Sequence, residues 1–201
     1  ADRLNSDWCK LRALELKYYV YVADPTKEKL FLETIDEYLK IAASSPEYQQ
    51  ELYDGTYAKV EYLIDMKRYI SAQEIVRDLM KKAETSKYAE GLYLCNYLMG
   101  CIYQSRGDHS MAIPYLKNAE QYGINDSMHV SLVSRELSIS YQAIKKYDEA
   151  IAFARRCWAF ANNKVYKVFG EYTYLIALYE SGNETEFMKA YEASAIHRGE
   201  I

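Results

Sequence analysis

The residues that usually carry enzyme chemistry are scattered along this chain of 201 residues. His109, His129 and His197 are not spaced with carboxylates as a metal site requires. The carboxylates within residues 33–37 share a predicted helix with three lysines, which is typical of a solvated helix face. The glycines occur singly, so there is no glycine-rich phosphate loop. We therefore predict a non-enzyme with no catalytic residue, no metal and no cofactor.

The four cysteines also lack the spacing of a reactive or metal-binding set. Cys95 and Cys101 lie on one predicted helix, about 9 Å apart along its axis, which is too far for a disulfide. Cys9 and Cys157 likewise sit among apolar neighbours. All four are interpreted as small core residues.

Composition favours protein partners. The chain has 22 tyrosines and a formal net charge of -4, and it contains no basic block of the kind that nucleic-acid binding requires. Its apolar runs are shorter than the ~20 residues needed to cross a bilayer. We expect protein or peptide partners, no nucleic acid and no membrane span in this chain.

One segment of the chain nearly repeats itself. Residues 99–103 (Met-Gly-Cys-Ile-Tyr) are followed, nine residues past the tyrosine, by residues 112–116 (Ala-Ile-Pro-Tyr-Leu). Residues 137–141 (Leu-Ser-Ile-Ser-Tyr) are followed at the same distance by residues 150–154 (Ala-Ile-Ala-Phe-Ala). Two helices approach closely only where one side chain is small, so Gly100 is expected to face Ala112.

The repeat extends beyond these segments as a column in each second helix. The equivalent positions, at spacings of 40, 38 and 37 residues, are Ala72, Ala112, Ala150 and Phe187. All but the last are small. Apolar residues with a 3.6 period surround the column, which predicts helices throughout. We predict an all-α superhelix of five antiparallel helix hairpins, forming one domain over residues 1–201. The predicted hairpins cover residues 5–43, 46–84, 89–122, 126–162 and 164–197.

Capping residues support these boundaries. Asp24, Ser45 and Asp126 stand where helices are predicted to begin, and their side chains suit an N-cap. Gly107 stands where a helix is predicted to end, and glycine suits the left-handed residue that closes many helices.

The small-residue steps and the tyrosines Tyr103 and Tyr141 resemble the tetratricopeptide repeat (TPR) family. The usual first-helix tryptophan is replaced by Asn96 and Ser134, so the repeats are degenerate. The resemblance implies stacked helix hairpins that bind a protein or peptide on an extended surface. The family's carboxylate-binding lysines and asparagines are absent from the equivalent positions, which disfavours recognition of chaperone C-terminal tails.

In this family the first helices of successive hairpins line the concave face. The resemblance therefore implies a tyrosine-rich binding groove with one arginine. Its predicted lining is Tyr57, Tyr97, Gln104, Arg135, Gln142, Tyr172 and Tyr179. The alternative is that these tyrosines only cover the interior of the superhelix.

The long, degenerate repeats and the many tyrosines also resemble the sensor regions of Bacteroidetes-type membrane histidine kinases and related regulators. This resemblance implies the sensor or regulatory region of a larger signalling protein, in the periplasm. The alternative is a stand-alone adaptor that scaffolds a cytoplasmic or envelope assembly. The final predicted helix, residues 184–196, carries apolar residues around more than one face, so we expect further helices after Ile201 or self-association through this end.

Overall fold

The computed structural model describes residues 2–123 and 125–199, with the backbone alone for residues 2–5 and 196. The chain divides into two compact units at residue 78. Every regular element among the described residues is a helix, which confirms the all-α fold class. The helices of the first unit are α1 (Asp2–Val22), α2 (Glu28–Ala42) and α3 (Gln49–Asp65), and α4 (Tyr69–Ser86) runs from the first unit into the second. Those of the second unit are α5 (Ala89–Ser105), α6 (His109–Gly123), α7 (Ser127–Ala143), α8 (Tyr147–Phe160), α9 (Lys164–Glu180), α10 (Glu184–Glu192) and α11 (Ala195–Arg198).

The predicted N-caps form. The side chain of Asp126 accepts hydrogen bonds from the backbone N–H groups of Met128 and His129 and so satisfies two donors at the start of α7. Asp24 and Ser45 each accept a backbone hydrogen bond at the start of a short 3₁₀ turn that leads into the next helix. These three residues confirm where the sequence placed helix starts.

Residues with a positive φ follow several of the helices, including Lys87 after α4, which has a φ of 53°. The residue that ends the turn after α3, α5, α7 or α9 has a positive φ: Lys67, Gly107, Lys145 and Gly182. Gly107 donates to the carbonyl of Gln104, and Asp108 to that of Tyr103, which is the Schellman hydrogen-bond pattern. Gly107 therefore has its predicted role, whereas two lysines adopt a conformation that glycine adopts more easily.

The core of the first unit is aromatic. Tyr18 of α1 packs edge-on against Phe31 and Tyr38 of α2, and Phe31 lies 4.4 Å from the Tyr62 ring of α3, centroid to centroid. Burying one such side chain contributes roughly 1.5–3 kcal/mol. The opposite face of α1 is exposed, and Cys9 lies on it, so the prediction of Cys9 as a core residue is wrong. Cys95 and Cys157 are buried as predicted, and Cys101 is half-buried.

In the second unit each helix from α5 to α9 contacts the next in sequence. The repeat register appears as two equivalent ring pairs, because Tyr103 stacks on Tyr115 as Tyr141 stacks on Phe153, with centroids 5.4 and 5.5 Å apart. Two buried serines tie α7 to α8: Ser131 Oγ donates to the carbonyl of Cys157, and Ser138 Oγ to that of Ala150.

The side chain nearest to Gly100 is that of Leu116 on α6. A Cβ at Gly100 would lie 2.5 Å from Cδ2 of Leu116, one turn after Ala112 on α6. Leu116 is fully buried and so has little room to move. Leu116 is therefore the residue that requires a glycine here, because its branched end reaches the α5 backbone.

The last predicted helix is interrupted. α10 ends at Glu192 instead of continuing to Ile196, and α11 begins at Ala195. The Ser194 hydroxyl accepts a hydrogen bond from the His197 N–H and thereby caps this new helix.

The apolar residues of this end differ in exposure. Phe187 and Tyr191 are half-buried, and their rings stack with centroids 6.0 Å apart. Met188 is 49% exposed. The side chain of Ile196 lies outside the described part of the chain.

Candidate functional site

The predicted groove residues of the second unit lie on α5, α7 and α9, and α7 contacts both of the other two helices. On α7, Arg135 and Gln142 are seven residues apart, which is about two helical turns and places them on one face. Tyr172 and Tyr179 have the same relation on α9. Helical periodicity thus selects one face of each helix as a candidate site.

Arg135, Gln142 and Tyr172 line one cavity of about 260 Å³ between α7 and α9, which we call the α7–α9 cavity. The structure therefore brings together three predicted residues from two helices. The remaining walls are Ile139, Phe169, Thr173 and Ile176.

A second cavity of about 230 Å³, the α9–α10 cavity, adjoins the first. Tyr172 and Ile176 line both cavities, and the predicted residue Tyr179 lines the second. Its other walls are Leu175, Phe187 and Tyr191. Tyr172 is 57% exposed and Tyr179 71% exposed, so two large rings are accessible to solvent beside the apolar cavities.

Arg135 is held in place at the α7–α9 cavity by two contacts. Its Nη1 lies 2.5 Å from Oε1 of Glu136, a charge-assisted contact. Its guanidinium carbon lies 6.0 Å from the centre of the Phe169 ring, within the range of a cation–π interaction. The guanidinium is thus positioned by α7 and α9 together.

Glu136 points away from solvent. It is 8% exposed. Burial raises the pKa of Glu136, and the Arg135 guanidinium and the Gln104 amide act against that rise. A buried carboxylate next to a half-exposed guanidinium makes the pair nearly neutral as seen from the cavity.

Gln104 has a role in packing. Its Nε2 donates to the carbonyl of Glu136 at 2.7 Å and to Oγ of Ser140 at 2.8 Å, so it joins α5 to α7. Tyr97 is half-buried and stacks on Tyr93, with ring centroids 6.1 Å apart. Neither Gln104 nor Tyr97 lines the two cavities.

Tyr57 lies on α3 in the first unit and donates a hydrogen bond from its hydroxyl to Glu61. Its side chain is half-buried.

The sequence reasoning missed Phe169 and Phe187 as site residues. For Phe169 a signal exists, since exposed or half-buried apolar residues recur along α9 at spacings of four and three: Val165, Phe169, Tyr172, Ile176 and Tyr179. Phe187 carries no such signal, because it belongs to another helix and reaches the site only through the packing of α10 on α9.

Two other kinds of site find no support in the part of the chain that the structure describes. None of its helices is long and apolar enough to cross a membrane. No cluster of three or more His, Cys, Asp or Glu side chains could hold a metal ion there.

The fold and the exposed aromatic surface define an all-α protein of the helical-repeat class. No family model matches the chain. It is similar to a TPR repeat-containing protein of Methanocaldococcus jannaschii, with 24% identity over 183 residues. That similarity covers 85% of this chain and 28% of the relative, so the chain spans less than a third of the relative's length. The relative and the helical fold together support a TPR-like family and a protein-interaction module.

Proposed function

We propose that this protein binds a peptide segment of a partner protein at the α7–α9 and α9–α10 cavities. The observation that carries the proposal is the pair of adjoining cavities that share Tyr172 and Ile176. Large rings beside such cavities suit the binding of apolar peptide side chains. Aromatic and Arg side chains also dominate the binding energy of most interfaces.

The exposure of these rings supports the proposal. Phe169, Tyr172 and Tyr179 are each 47% or more exposed on one helix. Contiguous apolar surface of this kind usually marks a contact site. A bound peptide would cover it.

A random linear peptide library selected on the whole chain tests the proposal. Peptides that bind the wild type should lose about tenfold or more in affinity to the Tyr172→Ala variant, because a central aromatic anchor is removed. The matched control is Tyr122→Ala, which removes a 44% exposed tyrosine from α6 that lines neither cavity. Equal losses in both variants, or no selected peptide at all, would contradict the proposal.

For the wider role we propose the regulatory or sensor region of a larger signalling protein, with a stand-alone adaptor as the alternative. The similarity covers 28% of the length of a TPR repeat-containing protein, so a similar segment occurs within a longer chain. The full reading frame of the gene distinguishes the two roles. A membrane span and a kinase in the same frame would support the sensor, and a frame without a signalling domain would support the adaptor.

A further inference from the structure

The α7–α9 cavity contains one charged group with an unusual environment. Among the described residues that line this cavity, Arg135 alone is charged. A guanidinium has five N–H donors, and one of its nitrogens already contacts the Glu136 carboxylate at 2.5 Å. An arginine at the wall of a binding cavity would ordinarily favour an anionic ligand.

Glu136 changes that expectation because its carboxylate is buried against the guanidinium. The side chain is buried, and the backbone carbonyl of Glu136 accepts a hydrogen bond from Gln104 on α5. Gln104 also donates to Ser140, so the part of α7 that carries Glu136 is anchored to α5. The counter-ion of Arg135 is therefore fixed within the fold.

A ligand carboxylate that enters this cavity meets an arginine that is already neutralised. It would lie beside a second carboxylate, and such like-charge contacts in a desolvated site are costly. An uncharged group does not meet this penalty. Gln142 lines the same cavity, and its buried Nε2 has no hydrogen-bond partner among the described residues, so a turn of this side chain would offer an uncharged acceptor a donor.

We propose that Glu136 is a specificity-determining residue that makes the α7–α9 cavity select an uncharged side chain and reject Asp and Glu. The proposal rests on the proposed peptide-binding function for its biological meaning. Glu136 acts through Arg135, because it positions and neutralises the guanidinium. Removal of the Glu136 carboxylate would convert the cavity into a site for acidic side chains.

The first experiment measures the charge state of the cavity without a peptide. Sodium acetate, the simplest carboxylate, is titrated against the whole chain while the Arg135 side-chain N–H signal is followed by NMR. The Glu136→Gln variant, which keeps the shape of the side chain, should bind acetate at least about tenfold more tightly than the wild type, because the competing carboxylate is gone. The control Glu120→Gln removes the carboxylate that pairs with Arg156, which does not line the cavity, and should behave as wild type. Equal acetate binding in wild type and Glu136→Gln would overturn the proposal.

The second experiment repeats the peptide selection on the wild type and on Glu136→Gln. Peptides selected on the wild type should not be enriched in Asp or Glu at the positions that bind the cavity, and those selected on the variant should be. Acidic peptides from the wild type would overturn the proposal, even if the variant failed to fold. A failure to select any peptide would contradict the peptide-binding function instead, while the acetate titration would still decide whether Arg135 is neutralised.

Discussion

The buried carboxylate of Glu171 on α9 accepts a hydrogen bond from the backbone N–H of Ala195, with Oε1 and N 3.0 Å apart. Ala195 begins the last short helix, so a side chain 24 residues earlier supplies the acceptor that its first free N–H needs. This contact fixes the end of the described chain to the unit whose α9 carries the candidate site.

We expect Glu171→Ala to release α11. The variant leaves the Ala195 N–H without its partner, and such a loss costs about 1.5–3 kcal/mol when the acceptor is charged. Hydrogen exchange at residues 193–199 should accelerate. Glu171→Gln keeps an acceptor oxygen and should protect this segment better than alanine. Equal protection in both variants would show that Glu171 doesn't hold the segment.

A methyl group at Gly100 should destabilise the second unit. The Cβ of Gly100→Ala would overlap Leu116, and overpacking of this kind costs about 1–3 kcal/mol. Thermal or denaturant unfolding measures this cost. In a Leu116→Ala background the same substitution should cost less, because the overlapping atoms are absent. An unchanged cost in that background would show that Leu116 is not the conflicting neighbour.

Replacing Lys145 with glycine should stabilise the protein. Lys145 has a φ of 60°, in the left-handed region that costs a residue with a side chain about 1–2 kcal/mol. After subtraction of the greater unfolded-state entropy of glycine, we expect a gain of about 0.5–1 kcal/mol in unfolding free energy. The control Lys146→Gly changes a residue with a φ of -93° and should give no gain. Equal gains in the two variants would argue against backbone strain.

The pH dependence of stability should reveal the burial of Glu136. Its pKa in the folded protein is raised, so ionisation is opposed there and the wild type loses stability as pH rises through that pKa. The Glu136→Gln variant has no carboxyl to ionise. Its unfolding free energy, relative to wild type, should therefore increase as pH rises from the ordinary pKa of a carboxyl group to the raised one, by about 1.4 kcal/mol for each unit by which the pKa is raised. A difference that stays constant with pH would contradict this.

The sequence predicted local features well, because they depend on neighbouring residues. Helical periodicity placed the helices, the resemblance to TPR repeats selected Arg135 and Gln142, and Asp126 marked the start of α7. The contact between Gly100 and Leu116 could not be read in this way, since it depends on how α5 and α6 cross. The pairing of Gln104 with the Glu136 carbonyl has the same origin, because a backbone carbonyl has no signature in the residue type.

The cavity walls were predictable only in part for a similar reason. Tyr172 and Tyr179 stand out as large residues on a periodic face. Phe187 lines the α9–α10 cavity because α10 packs on α9. Glu136 affects the α7–α9 cavity because its neighbour Arg135 lines it. Contacts between helices decide both roles.

The turns with positive φ that follow α3, α5, α7 and α9 have a consequence for ancestry. They fall at residues 67, 107, 145 and 182, two occupied by lysine and two by glycine. An exchange from glycine to lysine at such a turn costs about 1 kcal/mol, which a well-packed core can offset. A few substitutions with costs of this size remove the residues by which a repeat is recognised, while the backbone fold stays the same. Distant homologues of this protein should therefore conserve residues with positive φ at intervals of 37–40 residues more reliably than they conserve the amino acids at those positions.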